Sequence, residues 1–183
     1  MVRQPRAAVG FDPVMSWRVN HRARTFRIAR ALQQCGRCCE LTPVVGLLLP
    51  VGHETLAGDG EGGSAVQAWH VAEEEALLFF LEHVPQRVRI RLQRLAPNYS
   101  LDQADGTADS YWMNHCTQCG SRQDDFELYC EPEGAFAPMS ASAARAICLH
   151  WYPEPVEACA MGYACAPPYF SCAQRRQQLR ERY

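Results

Sequence analysis

Apolar residues follow two different patterns in the first part of the chain, a helix-like spacing and a continuous run, and each pattern predicts an element. Between residues 17 and 34, apolar residues recur at spacings of four, three and three, and arginines fill much of the remainder, which predicts an amphipathic helix. The run 41–50 is apolar, rich in β-branched residues and closed by a proline, which predicts a buried strand. Pro43 limits that strand to an edge position or delays its start to Val44.

The segment 68–95 is predicted to form two helices that meet at a proline. The first begins with three consecutive glutamates, whose charges suit a helix N-terminus, and continues through the apolar run 76–81. Pro85 either interrupts this helix or occupies the first turn of the next. The second helix carries its apolar residues on one face, although the alternation within 88–92 leaves a strand open as an alternative.

The second half of the chain predicts shorter elements. The aromatic run 111–115 indicates a strand, and 125–130 alternates apolar with polar residues, which is typical of a half-buried strand. Ser140 is a candidate N-cap for a short helix over 141–149. The polar segment 174–182 is predicted to be a short helix or a tail.

Four cysteines form two pairs with the spacing of metal ligands. Cys35 and Cys38 make the first CxxC pair, and Cys116 and Cys119 make the second. A two-residue gap lets both sulfurs of a pair converge on one metal while the intervening backbone turns tightly. Two such pairs supply four thiolates, the number and type of ligand that Zn²⁺ prefers in a structural site. The sequence therefore predicts one Zn²⁺ bound by these four residues.

Neighbouring residues leave some details of this site open. Cys39 directly follows the first pair, and the CxxC spacing places it outside the ligand set, either beside the site or in the core. We call the turn that contains each CxxC pair a knuckle: the first contains Cys35 and Cys38, and the second contains Cys116 and Cys119. Gly36 and Gly120 are expected to ease the turns of the two knuckles. His115 precedes Cys116 and could replace a thiolate, donate a hydrogen bond to one, or take no part.

The remaining cysteines do not form CxxC pairs, so a second zinc site has only weak support. They are Cys130, Cys148, Cys159, Cys165 and Cys172. Ten cysteines in all would suit a secreted disulfide scaffold, but the first residues contain no apolar signal-peptide core. A cytoplasmic protein is therefore expected, in which CxxC pairs are metal ligands. No apolar stretch approaches the ~18 residues needed to span a bilayer, and no contact with membranes is expected.

Charge is unevenly distributed over the 183 residues, whose formal net charge is −2. Residues 1–34 carry seven arginines and one acid, and residues 174–183 carry four arginines and one acid. The segment between them carries seven arginines and eighteen acids. The basic ends could contact nucleic acid, or they could fold back on the acidic body. All 18 basic residues are arginine, which is explained by codon bias or by a preference for bidentate anion contacts.

The predicted fold class is α+β. We expect a small, antiparallel, zinc-ribbon-like sheet that holds both knuckles around one metal, with a helical insertion between them at about 65–97. A flexible leader would occupy 1–16, a single domain 17–150, and a cysteine-containing extension 151–183.

Two blocks of sequence resemble a group of uncharacterised bacterial proteins with a split zinc-ribbon-like motif. The first is Thr-Pro-Val-Val at 42–45, shortly after the first knuckle, and the second is YWMNHCTQCGSRQDDFELYCEPEGAFAP at 111–138. The resemblance implies zinc binding and a ribbon core, and it implies no activity. Cys39 and the cysteine-rich end depart from the pattern of the group.

These observations favour a zinc-stabilised binding or adaptor module with an unidentified protein partner. One alternative is a nucleic-acid-binding zinc ribbon that uses the arginine-rich N-terminal segment and nearby aromatic residues. Another is a zinc- or thiol-dependent enzyme. A redox CxxC usually lies at a helix N-terminus, whereas both pairs here precede strand-like runs, and no HExxH motif is present. No catalytic residue is assigned, and the oligomeric state is left open.

Overall fold

The computed structural model describes residues 18–56, 68–103 and 109–177, which form twelve strands and a few short helices. The strands are β1 (His21–Ala23), β2 (Phe26–Gln34), β3 (Leu41–Leu49), β4 (Glu54–Leu56), β5 (Trp69–Val71), β6 (Ala76–His83), β7 (Ser100–Gln103), β8 (Ser110–His115), β9 (Arg122–Gln123), β10 (Cys148–Tyr152), β11 (Val156–Cys165) and β12 (Gln174–Gln177). The helices are α1 (Gln86–Leu95), α2 (Asp125–Tyr129), α3 (Ala141–Ala144) and a 3₁₀ turn (Pro168–Cys172).

The strands are hydrogen-bonded into one sheet with a side branch. Their order along the main path is β12-β10-β2-β3-β6-β11-β1-β4-β5. The branch leaves from β6, where β8 pairs at a single position and carries β7 on one side and β9 on the other. Among these strands β10 and β12 run parallel, and the other pairs are antiparallel.

The predicted α+β ribbon with a helical insertion is therefore wrong. The interval between the two knuckles contains β3 to β8, most of which belong to the main sheet, and α1 is the one helix there among the described residues. After residue 150, β11 lies between β6 and β1 in the same sheet. The leader predicted at 1–16 and the end of the chain after 177 lie outside the described residues.

Two predicted helices are strands, because each is buried on both faces. Of the helix predicted at 17–34, the described residues form β1 and β2, and β2 contributes Phe26 and Ile28 to one core cluster and Ala29 to another. The run 76–81 lies in β6, which divides its leucines between the same two clusters. A strand that is buried on both faces does not show a polar–apolar alternation, so its apolar spacing can imitate that of a helix.

Other predictions had mixed outcomes. Three predictions are confirmed: the strand after the first knuckle is β3, the helix after Pro85 is α1, and the aromatic strand before the second knuckle is β8.

The strand predicted at 125–130 is wrong, because the Asp124 side chain accepts hydrogen bonds from two backbone N–H groups and caps α2 there. Ser140 caps α3 as predicted, but that helix ends at Ala144 and β10 follows. The segment that starts at Gln174 begins as β12.

The two faces of the sheet carry separate hydrophobic clusters, and α1 covers one of them through Val88 and Leu92. Leu128 and Tyr129 of α2 belong to the other cluster.

The helix α2 also supports β6, at the point where that strand changes its neighbour from β3 to β8. There Phe80 has a φ of 49°, and its N–H donates to the Asp125 carboxylate at 2.8 Å. Burial raises the pKa of Asp125 to about 7.

No helix among the described residues is long and apolar enough to cross a membrane.

Candidate metal centre

The first knuckle is the turn that joins β2 to β3. These strands pair along their whole length, from Gln34 opposite Leu41 inward, so the loop 35–40 is held at the tip of a long hairpin. Within the loop, the Cys35 N–H donates to the Glu40 carbonyl at 2.9 Å, and the Cys39 N–H donates to the Cys35 carbonyl at 2.8 Å. This arrangement directs the side chains of both CxxC cysteines to one side of the turn.

The second knuckle repeats this arrangement between β8 and β9. The Cys116 N–H donates to the Ser121 carbonyl at 2.8 Å, and the Gly120 N–H donates to the Cys116 carbonyl at 3.0 Å. Gly120 therefore corresponds to Cys39, and both have left-handed backbones, with φ of 72° and 62°. The expected role of Gly36 is not needed, because Gly36 does not adopt a positive φ.

The two knuckles face each other, and their four CxxC sulfurs converge. The ligand atoms of Cys35, Cys38, Cys116 and Cys119 all lie within 4.8 Å of one another. The Sγ atoms of Cys35 and Cys119 are 3.7 Å apart, and those of Cys38 and Cys116 are 3.5 Å apart. Since a disulfide has an S–S distance of about 2.0 Å, these are four free cysteines, close enough to bind a metal ion.

The sulfur spacing matches the requirement of a tetrahedral metal. With Zn–S bonds of about 2.3 Å, the edges of a tetrahedron of four sulfurs are about 3.8 Å long. The two contacts of 3.5 and 3.7 Å are close to this value, and the remaining edges stay below 4.8 Å. Only small side-chain rotations would be needed to receive the ion.

Polar groups around the sulfurs favour thiolates at part of the cluster. The Ser121 hydroxyl lies 3.1 Å from the Cys35 sulfur and 3.2 Å from the Cys119 sulfur. Its hydrogen bond, together with backbone N–H groups, lowers the pKa of Cys35 to about 5, and the same hydroxyl lowers the pKa of Cys119. The backbone at Glu40 lowers the pKa of Cys38, but burial and the adjacent sulfurs outweigh it and raise that pKa to about 12. The surroundings therefore act in opposite directions on the two sulfurs of the first knuckle, lowering the pKa of Cys35 and raising that of Cys38.

Threonines join the two knuckles directly. The buried Thr42, at the start of β3, accepts a hydrogen bond from the Thr117 N–H at 3.0 Å, and the two hydroxyl oxygens are 3.4 Å apart. The second knuckle is also joined to the segment that follows α1, because the Asn98 side chain donates to the Cys116 carbonyl at 3.0 Å. These contacts position the second knuckle against the first.

A buried asparagine joins β8 to β3. The Asn114 side chain accepts from the Val45 N–H at 2.8 Å and donates to the Val45 carbonyl at 2.9 Å, so it replaces a neighbouring strand where β3 has none on that side. The Tyr129 hydroxyl donates to the same carbonyl at 3.0 Å. Gly46 allows this approach, since a Cβ there would lie 2.6 Å from the Tyr129 hydroxyl.

His115 is directed away from the sulfurs. Its Nδ1 lies 3.0 Å from the Asn98 carbonyl oxygen, and its Nε2 lies 3.0 Å from an oxygen of Asp102. The His115 contact is also the largest cause of the lowered pKa of Asp102. His115 thus connects β8 to the segment that follows α1, and neither of its ring nitrogens faces the cluster.

The structure brings together the four predicted ligands and leaves the other cysteines apart. Cys39 is exposed beside the first knuckle and is not part of the group. No second group of metal-binding side chains occurs within 18–56, 68–103 and 109–177. In β11, the Cys159 thiol donates to Glu82 at 2.9 Å, and burial raises its pKa to about 12.

Sequence reasoning missed the residues that position the knuckles. Thr42, Asn114 and Ser121 lie next to or near the cysteines in sequence, but their roles depend on partners in the other hairpin. Ser121 had a local signal, because its place shortly after the second pair puts its side chain beside the knuckle. The other two had none.

Comparison with protein-family models, with curated proteins and with solved structures gives no match for this chain.

Proposed function

We propose that the protein binds one Zn²⁺ through Cys35, Cys38, Cys116 and Cys119, and that the ion fastens the two hairpins together. The observation that supports this most directly is the convergence of four sulfurs within 4.8 Å. Thiolates are soft ligands, and four of them in a tetrahedral arrangement favour zinc among the common protein metals.

The donor set supports a structural role for the ion. Catalytic zinc sites usually keep one position open for water or substrate, whereas four protein ligands close the coordination shell. Structural zinc can contribute on the order of 10 kcal/mol to folding, which is comparable to the whole stability of a typical domain. Both pairs also lie in turns between strands, and neither begins a helix that would activate a redox thiol.

We further propose that the metal-held hairpin presents a surface to a protein partner. Leu32 and Leu41, next to the first knuckle, are 53% and 61% exposed. They lie on the sheet face that α1 covers farther along, at positions beyond the end of that helix. Exposed apolar side chains that are clustered at a rigid position are a common feature of protein-binding surfaces.

The nucleic-acid alternative receives less support. The predicted basic helix is replaced by strands, and three of its arginines are engaged within the protein. Arg22 and Arg27 form ion pairs with Glu54 and Glu75, and Arg30 donates to a backbone carbonyl of α1. These contacts leave fewer arginines available to bind phosphates.

Metal analysis of matched variants tests the proposed site. Wild-type protein is expected to carry one equivalent of zinc by mass spectrometry. Cys35→Ser and Cys116→Ser should each lose it, because each removes one of four ligands, whereas Cys165→Ser, which changes an exposed cysteine outside the cluster, should keep it. A full equivalent retained in both ligand variants would contradict the proposal.

A further inference from the structure

Two close sulfur contacts of the cluster cross from one knuckle to the other. Cys35 lies against Cys119 at 3.7 Å, and Cys38 lies against Cys116 at 3.5 Å. To form a disulfide, each pair would have to close by about 1.5 Å.

Each of these pairs joins a more accessible sulfur to a buried one. Cys119 is exposed and its neighbour Cys35 is buried; Cys38 is half-buried and its neighbour Cys116 is buried. Redox-sensitive cysteines commonly combine an accessible thiolate, which meets the oxidant, with a second thiol close by that resolves the product. Bound to the proposed metal, all four sulfurs would be thiolates, and the cluster would contain this combination twice.

We propose that hydrogen peroxide converts the four-thiolate site into two disulfides across the knuckles, Cys35–Cys119 and Cys38–Cys116, with release of the metal ion. The release of the ion rests on the proposed zinc site. The pairing of the sulfurs rests only on their distances and exposure.

The chemistry balances with two molecules of peroxide. The Cys119 thiolate attacks one peroxide oxygen, the O–O bond breaks, and hydroxide leaves, giving a sulfenic acid. The Cys35 thiolate then attacks the Cys119 sulfur and displaces a second hydroxide as the S–S bond forms. The same two steps at Cys38 and Cys116 use the second peroxide. Four sulfurs each lose one electron, two peroxides each gain two, and the products are two disulfides, four hydroxides and the freed ion.

Replacement of the metal ion by two disulfides would preserve the contact between the hairpins. The paired cysteines are separated by 84 and 78 positions in sequence, so each disulfide closes a long loop and strongly restricts the unfolded chain. A disulfide within one CxxC pair would restrict it little. The oxidised, metal-free protein is therefore expected to stay folded under conditions in which the reduced, metal-free protein loses structure.

Peptide mapping tests the pairing. Reduced, metal-loaded protein is treated with two equivalents of peroxide, the remaining thiols are alkylated, and non-reduced digests are analysed by mass spectrometry. We expect peptides that link Cys35 to Cys119 and Cys38 to Cys116, with zinc appearing in a chromogenic indicator as these links form. Links within a CxxC pair, links to Cys39, or oxidation without disulfides would overturn the inference.

A pair of variants and a measurement of bound zinc separate this inference from the zinc proposal. Cys119→Ser should lose the first link and retain Cys38–Cys116, whereas Cys130→Ser, which removes an exposed thiol outside the cluster, should retain both. The zinc content of the reduced protein is measured before the same mapping. If no zinc is bound but the cross-links form, the zinc proposal fails and the pairing stands. If zinc is bound but the links form within each knuckle, the zinc proposal stands and the pairing fails.

Discussion

At the scale of single residues, the two knuckles differ at one equivalent position. Gly120 ends the second knuckle with a left-handed backbone, which glycine adopts without strain, and Cys39 adopts the same conformation in the first. A side chain in the left-handed region costs about 1–2 kcal/mol. The extra cysteine, Cys39, therefore lies at a strained turn position outside the proposed ligand set.

Gly120→Ala is expected to lower the free energy of unfolding by about 1 kcal/mol, because the new side chain would occupy a left-handed position. Gly36→Ala is the matched control. Nothing lies within 4 Å of an added Cβ at either site, and only Gly120 has a positive φ. Denaturant unfolding of both zinc-loaded variants measures the difference. Equal effects would show that the backbone conformation at 120 does not matter.

At the scale of elements, two asparagine side chains act in place of missing strand neighbours. Asn114 bonds both backbone groups of Val45 on β3, and Asn20 does the same for Ala160 on β11, at 3.0 Å and 2.7 Å. Buried backbone groups need partners, and these side chains satisfy them where the ladder stops. The first of the two also fixes β8, and with it the second knuckle, against β3.

Asn114→Ala is expected to destabilise the protein by about 1–3 kcal/mol, because the buried N–H of Val45 loses its partner. It should also weaken zinc binding by about tenfold, as loss of groups that orient metal ligands commonly does. Asn20→Ala removes the equivalent contact on β11, a strand that carries neither knuckle, and should leave zinc affinity unchanged. Chelator competition measures the affinities, and equal values for the two variants would contradict the assigned role.

The elements also show what local pattern can and cannot predict. β3 and α1 were predictable, because an apolar run closed by proline and a one-sided helix after Pro85 are local signals. β2 and β6 were not, since their burial on both faces depends on strands and helices that are distant in sequence. The helix α2 has its own signal, the Asp124 cap, which competes with an alternating pattern in the same residues.

At the scale of the whole molecule, the sheet brings together two knuckles that are distant in sequence. The first is the tip of the central β2–β3 hairpin, and the second lies on the β7–β8–β9 branch that leaves β6 beside β3. The four cysteines that converge were predictable because CxxC spacing is a local signal. The twelve-stranded architecture that carries them was not, because strand pairing across the chain leaves no local signal.

X-ray absorption at the zinc edge of the purified, reduced protein directly tests whether four cysteine sulfurs bind the metal. We expect a first coordination shell of four sulfur atoms at about 2.3 Å and no nitrogen or oxygen ligand. A shell containing nitrogen or oxygen, or one with fewer than four sulfurs, would contradict a closed site formed by Cys35, Cys38, Cys116 and Cys119.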